Sequence, residues 1–343
     1  MRAAVYYSNA DVRIEERPVP AIGPDELLIR GEVSGICGSD VMEWYRRSRA
    51  PIVLGHEIAG TIADAGERVR RYKVGDRVTA AHHVPCNRCR HCLRGRHTMC
   101  RTLHTTNFDP GGFAEYFRLT PVHVAQGVFP LPETVSFEEA VFVEPLACVL
   151  RGQRVAPVRD GDTVLIVGSG IVGLLHLKLA KARGAARILA TDLVGYRLEA
   201  ARRFGADAAF PADGEVPPRV REVNEGRLAD LVIVCTGAAP AVAQALTSVE
   251  AGGTVLLFAP SGPDGRFPAL PFNDLFFRTD LTVTTSYGAS PPDYAAALDL
   301  IASRRVRVED MITHRLGLSE AAQGFRLVAA AQESIKVILD HRR

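Results

Sequence analysis

Over about the first 85 residues, apolar and polar positions alternate in short runs broken by glycine, proline and aspartate. Residues 26–30 and 60–63 read as strands, and residues 74–78 as a turn entering another. No amphipathic helical run separates them, so a partly closed, barrel-like β domain is expected. Near residue 150 the pattern changes. Residues 162–167 form a continuous apolar run, the character of a strand buried on both faces, and residues 174–183 an amphipathic helix. Further strands are expected at 187–191, 231–234, 253–258 and 281–285, a helix at 293–303 and a last strand at 335–339. Strands alternating with helices predict a doubly wound parallel sheet, which makes the chain α/β with two domains.

Composition narrows the partners. The 343 residues carry 41 basic and 39 acidic side chains, a balance that argues against nucleic acid or a membrane surface. The N-terminus lacks the apolar core of a signal peptide, and no run approaches the roughly 18 apolar residues that cross a bilayer. A cytoplasmic protein is expected.

Two clusters suggest metal chemistry. Cys37, His56 and Glu57 lie close in sequence between glycines, and thiolate, imidazole and carboxylate are the ligand types of catalytic zinc. The plainer alternative is a buried Cys beside a core His. The second cluster is Cys86-x2-Cys89-x2-Cys92-x7-Cys100, four of the seven cysteines. Four thiolates close a tetrahedral shell, the mark of a structural site. Arg88, Arg90, Arg94, Arg96 and Arg101 either offset its charge or form a solvated face, and His82, His83, His91 and His97 are expected at its surface or just behind its ligands. Cys148 and Cys235, in apolar surroundings, are expected as packed core thiols.

A dinucleotide fingerprint follows the strand at 162–167. Gly168, Gly170 and Gly173 stand in Gly-x-Gly-x-x-Gly, with Ile171 and Val172 opening a helix and Asp192 ending the next strand. The glycines admit a pyrophosphate to the helix N-terminus, while Asp192 accepts from the ribose hydroxyls and repels a 2′-phosphate, favouring NAD. Arg197 either pairs with a phosphate or stacks on adenine. Thr236, Phe258, Ser286 and Tyr287 follow strand ends and are candidates to flank the nicotinamide.

Gly55-His56-Glu57-x2-Gly60-x5-Gly66-x2-Val69 resembles the zinc signature of medium-chain alcohol dehydrogenases, and the likeness extends over nearly all of the chain. Glu144, an acid inside the apolar run Val143-Glu144-Pro145-Leu146, resembles the acid beside the metal in the sorbitol (polyol) dehydrogenase branch. A helix-start charge before Pro145 is the alternative. The resemblance implies a GroES-like catalytic domain (1–149 and 290–343) and a Rossmann domain (150–289). It further implies one catalytic zinc on Cys37, His56, Glu57 and Glu144, one structural zinc on the four cysteines, and NAD. Phe113 then borders the substrate cleft or simply packs in a strand.

The expected reaction oxidises a secondary alcohol, a polyol or cyclitol, to the ketone by hydride transfer to NAD. Ser39 takes the hydroxyl proton. Many relatives continue the relay through a histidine where this chain has Met42, so the outlet runs through water, Glu43 or Glu144. A thiolate and two carboxylates on Zn²⁺ total −1, from which Glu144 is expected to leave the metal when substrate binds. An amino-alcohol or aminocyclitol dehydrogenase, or a nucleotide-binding protein without catalysis, are the alternatives. The resemblance also implies a homo-oligomer, tetramer or dimer.

Overall fold

The computed structural model describes residues 1–269 and 272–343. Backbone contacts divide the chain into two units, Met1–Ala147 with Gly288–Arg343, and Cys148–Tyr287.

In the second unit the continuous apolar runs become six parallel strands. Their order is Ala208–Pro211, Arg187–Asp192, Thr163–Val167, Ala229–Val234, Val249–Leu257, Thr282–Thr285. Numbered along the chain this is 3-2-1-4-5-6, the doubly wound arrangement, whose switch point lies between Thr163–Val167 and Ala229–Val234. Every residue of Thr163–Val167 is buried, as a central strand covered on both faces requires. The strand expected at 253–258 starts earlier, at Val249, because a register shift against the Ala229–Val234 strand lets it run through Gly252 and Gly253.

The first unit is mainly antiparallel. Its larger sheet runs Ile312–Gly317, Lys336–Asp340, Leu27–Gly35, Glu57–Ala65, Arg77–Ala80, Val128–Pro130, with Tyr116–Leu119 also on Leu27–Gly35. A three-stranded sheet, Asp11–Glu16, Arg2–Ser8, Ile52–Val53, lies beside it. The C-terminal strand therefore completes a sheet begun some 300 residues earlier, with Ile338 paired to Gly35. The helix expected at 293–303 begins at Pro291, because Ser290 and Asp293 cap it reciprocally and proline suits a first helical turn. Phe113 is fully buried and packs edge-on against Phe325 at 5.7 Å, so its role is core packing. Among the described residues, no helix is long and apolar enough to cross a membrane.

Candidate active site and metal centres

Cys37 follows the Leu27–Gly35 strand, and Glu57 opens the strand that pairs with it. Between Ile52–Val53 and Glu57, the chain turns through Gly55 at φ +94°, a conformation open to glycine, with a Phe113 ring carbon 2.7 Å from where a Cβ would stand. This turn delivers His56. One ligand atom from each of Cys37, His56 and Glu57 lies within 4.8 Å of the other two. A thiol, an imidazole and a carboxylate so gathered suit zinc.

The surroundings orient each of them. Asp40 is fully buried; its Oδ2 accepts the Cys37 N–H at 3.0 Å and its Oδ1 lies 3.4 Å from His56 Nδ1. Such a carboxylate fixes the tautomer of a metal-ligating imidazole. Burial opposes charge on His56, yet Asp40 and Cys37 overcome it and hold the imidazole well above its ordinary value. Asp40 is lowered, burial opposing and His56 and Arg46 prevailing. The Ser39 N–H points at Cys37 Sγ, 3.4 Å away, and the Ser39 hydroxyl accepts from Arg46 Nη2 at 3.2 Å.

Sequence reasoning missed Lys336. This lysine is wholly buried, and its Nζ donates to Glu57 Oε2 while lying 5.7 Å from the centre of the Phe142 ring. The pair occupies the space beside Gly35: a Cβ there would stand 2.7 Å from Lys336 Cε, so glycine is required for close approach. A signal existed. Lys336 is the one charge within the apolar stretch 335–339, the same argument that singled out Glu144.

Glu144 lies one residue into the helix Val143–Val155 and is nearly buried. It stands outside the mutually close triad, with its carboxylate 4.0 Å from His82 Nδ1. Here the expected place of two histidines is corrected. His82 and His83 do not sit at the surface of the cysteine cluster. The strand Arg77–Ala80 carries them toward the first site, where the His82 ring centre is 4.8 Å from that of His56 and 3.9 Å from that of His83. Burial and the imidazoles of His83 and His56 keep His82 well below its ordinary value, and burial holds His83 at about 4.

The four cysteines also converge. Cys86, Cys89, Cys92 and Cys100 form a second mutually close group, with Sγ atoms 3.5 Å apart for Cys89–Cys92 and 3.6 Å for Cys86–Cys100. Tetrahedral zinc with Zn–S bonds near 2.3 Å sets its sulfurs about 3.8 Å apart, so the set fits zinc. Burial opposes a thiolate at Cys100, but the Cys86 and Leu103 N–H groups bring it down to about 6. The five flanking arginines are all exposed, on the solvated face. Cys148 and Cys235 depart from expectation in part: each keeps some of its surface accessible. Burial still raises the Cys235 thiol strongly.

In the second unit the helix Ile171–Ala182 starts directly after Gly170. Gly173 faces the Gly168 carbonyl so closely that a side chain could not fit, as a close strand-to-helix turn demands. Asp192 ends the second strand; its Oδ2 accepts from Ser169 N–H at 2.7 Å and its Oδ1 from Val194 N–H at 2.9 Å. Arg197 Nη1 lies 3.9 Å from Asp192 Oδ2 and beside Gly170. Thr236, Phe258, Ser286 and Tyr287 each lie just past the carboxyl end of a parallel strand. The Ser286 Oγ is buried without a hydrogen-bond partner, and the Phe258 ring packs edge-on against His176 at 4.6 Å. A glycine-lined helix start with an acid at the next strand end fits a dinucleotide.

Comparison with known proteins agrees with both units. The family model for the alcohol dehydrogenase GroES-like domain matches residues 23–133, and that for zinc-binding dehydrogenases matches residues 172–303. The chain is 32% identical to a sorbitol dehydrogenase of Gallus gallus over 98% of its own length and 95% of that protein's. Its structure is similar to alcohol dehydrogenase TADH from a Thermus species, with a TM-score of 0.86, 30% identity and 99% of each chain covered. It is likewise similar to an NADP-bound Sinorhizobium meliloti protein assigned to the zinc-binding dehydrogenases, with a TM-score of 0.87, 31% identity, and 99% and 98% covered. The chain therefore belongs to the zinc-dependent medium-chain alcohol dehydrogenases and is an oxidoreductase of their sorbitol dehydrogenase-like branch.

Proposed function

We propose that this protein oxidises a secondary alcohol, a polyol or cyclitol, to the ketone and passes the hydride to NAD. The observation that carries the reading is the convergence of Cys37, His56 and Glu57 on one point, with Ser39 and Glu144 nearby. In this reading Cys37, His56 and Glu57 hold one zinc with Glu144 as a further ligand or as partner to its water, and the four cysteines hold a second. Zinc so bound supplies a Lewis acid that acidifies the substrate hydroxyl, and NAD supplies the hydride acceptor.

The chain's own residues do the rest. Ser39 takes the hydroxyl proton. Asp40 keeps His56 in the tautomer whose Nε2 is free to ligate. Lys336 cancels the charge of Glu57. With that cation counted, thiolate, two carboxylates and Zn²⁺ sum to neutrality rather than −1, so charge alone gives Glu144 no reason to leave. Asp192, already accepting two backbone N–H groups, places negative charge where a 2′-phosphate would come, which favours NAD over NADP.

The test is a panel of polyols, amino alcohols and simple alcohols with NAD and with NADP, read by absorbance of the reduced nicotinamide, beside metal analysis. About two zinc per chain and turnover of polyols with NAD are expected, and Ser39→Ala should lower kcat by roughly 100-fold. Turnover with NADP alone, or one zinc and no turnover, would overturn the assignment.

A further inference from the structure

We infer that Arg46 is a positioning residue for the Ser39 hydroxyl, an inference that rests on the reading of Ser39 as proton acceptor. Arg46 ends the one-turn helix Glu43–Arg46, and its side chain is only 13% exposed. Its guanidinium faces back toward the metal-binding turn. Nε donates to the Ser39 carbonyl at 2.9 Å and Nη2 to the Ser39 hydroxyl oxygen at 3.2 Å. Nη2 is also 3.6 Å from Asp40 Oδ1, and the Tyr45 ring packs against the guanidinium at 4.8 Å. The planar fork thus fixes backbone and side chain of one residue together, a geometry an ammonium cannot reproduce.

The donor and acceptor inventory gives this contact its consequence. A serine hydroxyl has one proton and two acceptor positions. Arg46 fills one acceptor position, and having no acceptor of its own it cannot receive the Ser39 proton. Ser39 is left with one lone pair and one O–H. A shuttle needs those two and no others: the lone pair takes the substrate's proton while the O–H gives its own to water. Neither residue competes, since Met42, three residues on, offers only a thioether and a guanidinium has no acceptor. The nearby positive charge also favours the polarised oxygen during the exchange. Atoms and charge balance, with one proton in from the alcohol and one out to water.

A plainer role is available, since Arg46 also neutralises the buried Asp40. Two variants separate the roles. Arg46→Lys keeps a cation near Asp40 but loses the fork, and Arg46→Gln keeps a donor without charge. We expect Arg46→Lys to retain zinc content, the visible absorption of the cobalt-substituted protein and the melting temperature of the metal-free protein. Its kcat should fall about 10-fold with KM little changed, and the solvent isotope effect on kcat should rise. Arg46→Gln should lose more. In a Ser39→Ala background the Arg46→Lys loss should vanish, because a residue acting through a missing hydroxyl has nothing left to position, while Arg46→Gln keeps only the part that comes from Asp40.

Unchanged kcat in Arg46→Lys, or a loss that persists in full without the Ser39 hydroxyl, would overturn the inference. A shifted cobalt spectrum would do so as well, by assigning the effect to Asp40 and the ligands. Absence of turnover in the unmodified enzyme, or full activity in Ser39→Ala, is a different result and would remove the reading on which the inference stands.

Discussion

Glu57 and Lys336 are each almost completely enclosed, and neither could stand there alone. Removing one partner of a buried ion pair leaves an uncompensated charge, at a typical cost of about 3–5 kcal/mol. In the metal-free protein, Lys336→Met should therefore lower unfolding free energy by about that amount in urea denaturation, and adding Glu57→Gln should recover most of it. Equal stability of Lys336→Met and the unmodified chain would show that the pair carries no such weight. The residues also show what a sequence reveals at this scale. Cys37, His56 and Glu57 were legible because ligand chemistry and glycine spacing lie within one short segment. Lys336 was not, although it breaks an apolar run as Glu144 does, because its pairing depends on a strand register joining residues 279 apart. His82 misled for the opposite reason: proximity to Cys86 in sequence concealed a strand that carries it elsewhere.

The segment holding the four cysteines is an element with almost no core of its own. It contains the helix Arg90–Leu93, a turn at His97–Met99 and the helix Arg101–Thr105, and its buried apolar cluster is Cys92, Cys100 and Leu103. So small a cluster cannot offset the entropy of ordering the segment, and on the proposed reading a zinc held by the four cysteines supplies the difference. Chelation that strips this ion should open the element locally while both sheets persist. Trypsin reports it directly, since Arg88, Arg90, Arg94 and Arg96 are already exposed and need only a flexible backbone. Cleavage within 88–96 should accelerate at least about 10-fold after chelation, with the remaining fragments protected. An unchanged digest would mean that the element folds without metal. Cysteine spacing made this element legible at once, whereas the early start of Val249–Leu257 was hidden by the two glycines it passes through.

At the scale of the whole molecule, alternation of strand and helix revealed the parallel sheet, but nothing in it gave the 3-2-1-4-5-6 order, which is set by how each crossover packs. Nor did composition announce how acid acts on the fold. A net charge of +2 describes only the sum, whereas pH sensitivity follows from where the titrating groups lie. His176 in the second unit is fully buried, and desolvation, with a smaller push from Arg183, depresses it to about 3; burial likewise brings His341 in the first unit to about 4. Each is depressed below the unfolded value near 6.5. The unfolded chain therefore binds protons first, so the stability of neutral burial is complete above pH 6.5 and declines as pH falls toward 4. Carboxylates with lowered values, such as Asp40, add their loss only at lower pH. His176→Gln, which cannot titrate, isolates one contribution. Between pH 7 and pH 4.5 the unmodified protein should lose about 2–3 kcal/mol more unfolding free energy than this variant, measured by urea denaturation at both pH values. Parallel losses in the two proteins would mean that His176 is not held neutral by its burial, and that the acid sensitivity of the fold arises elsewhere.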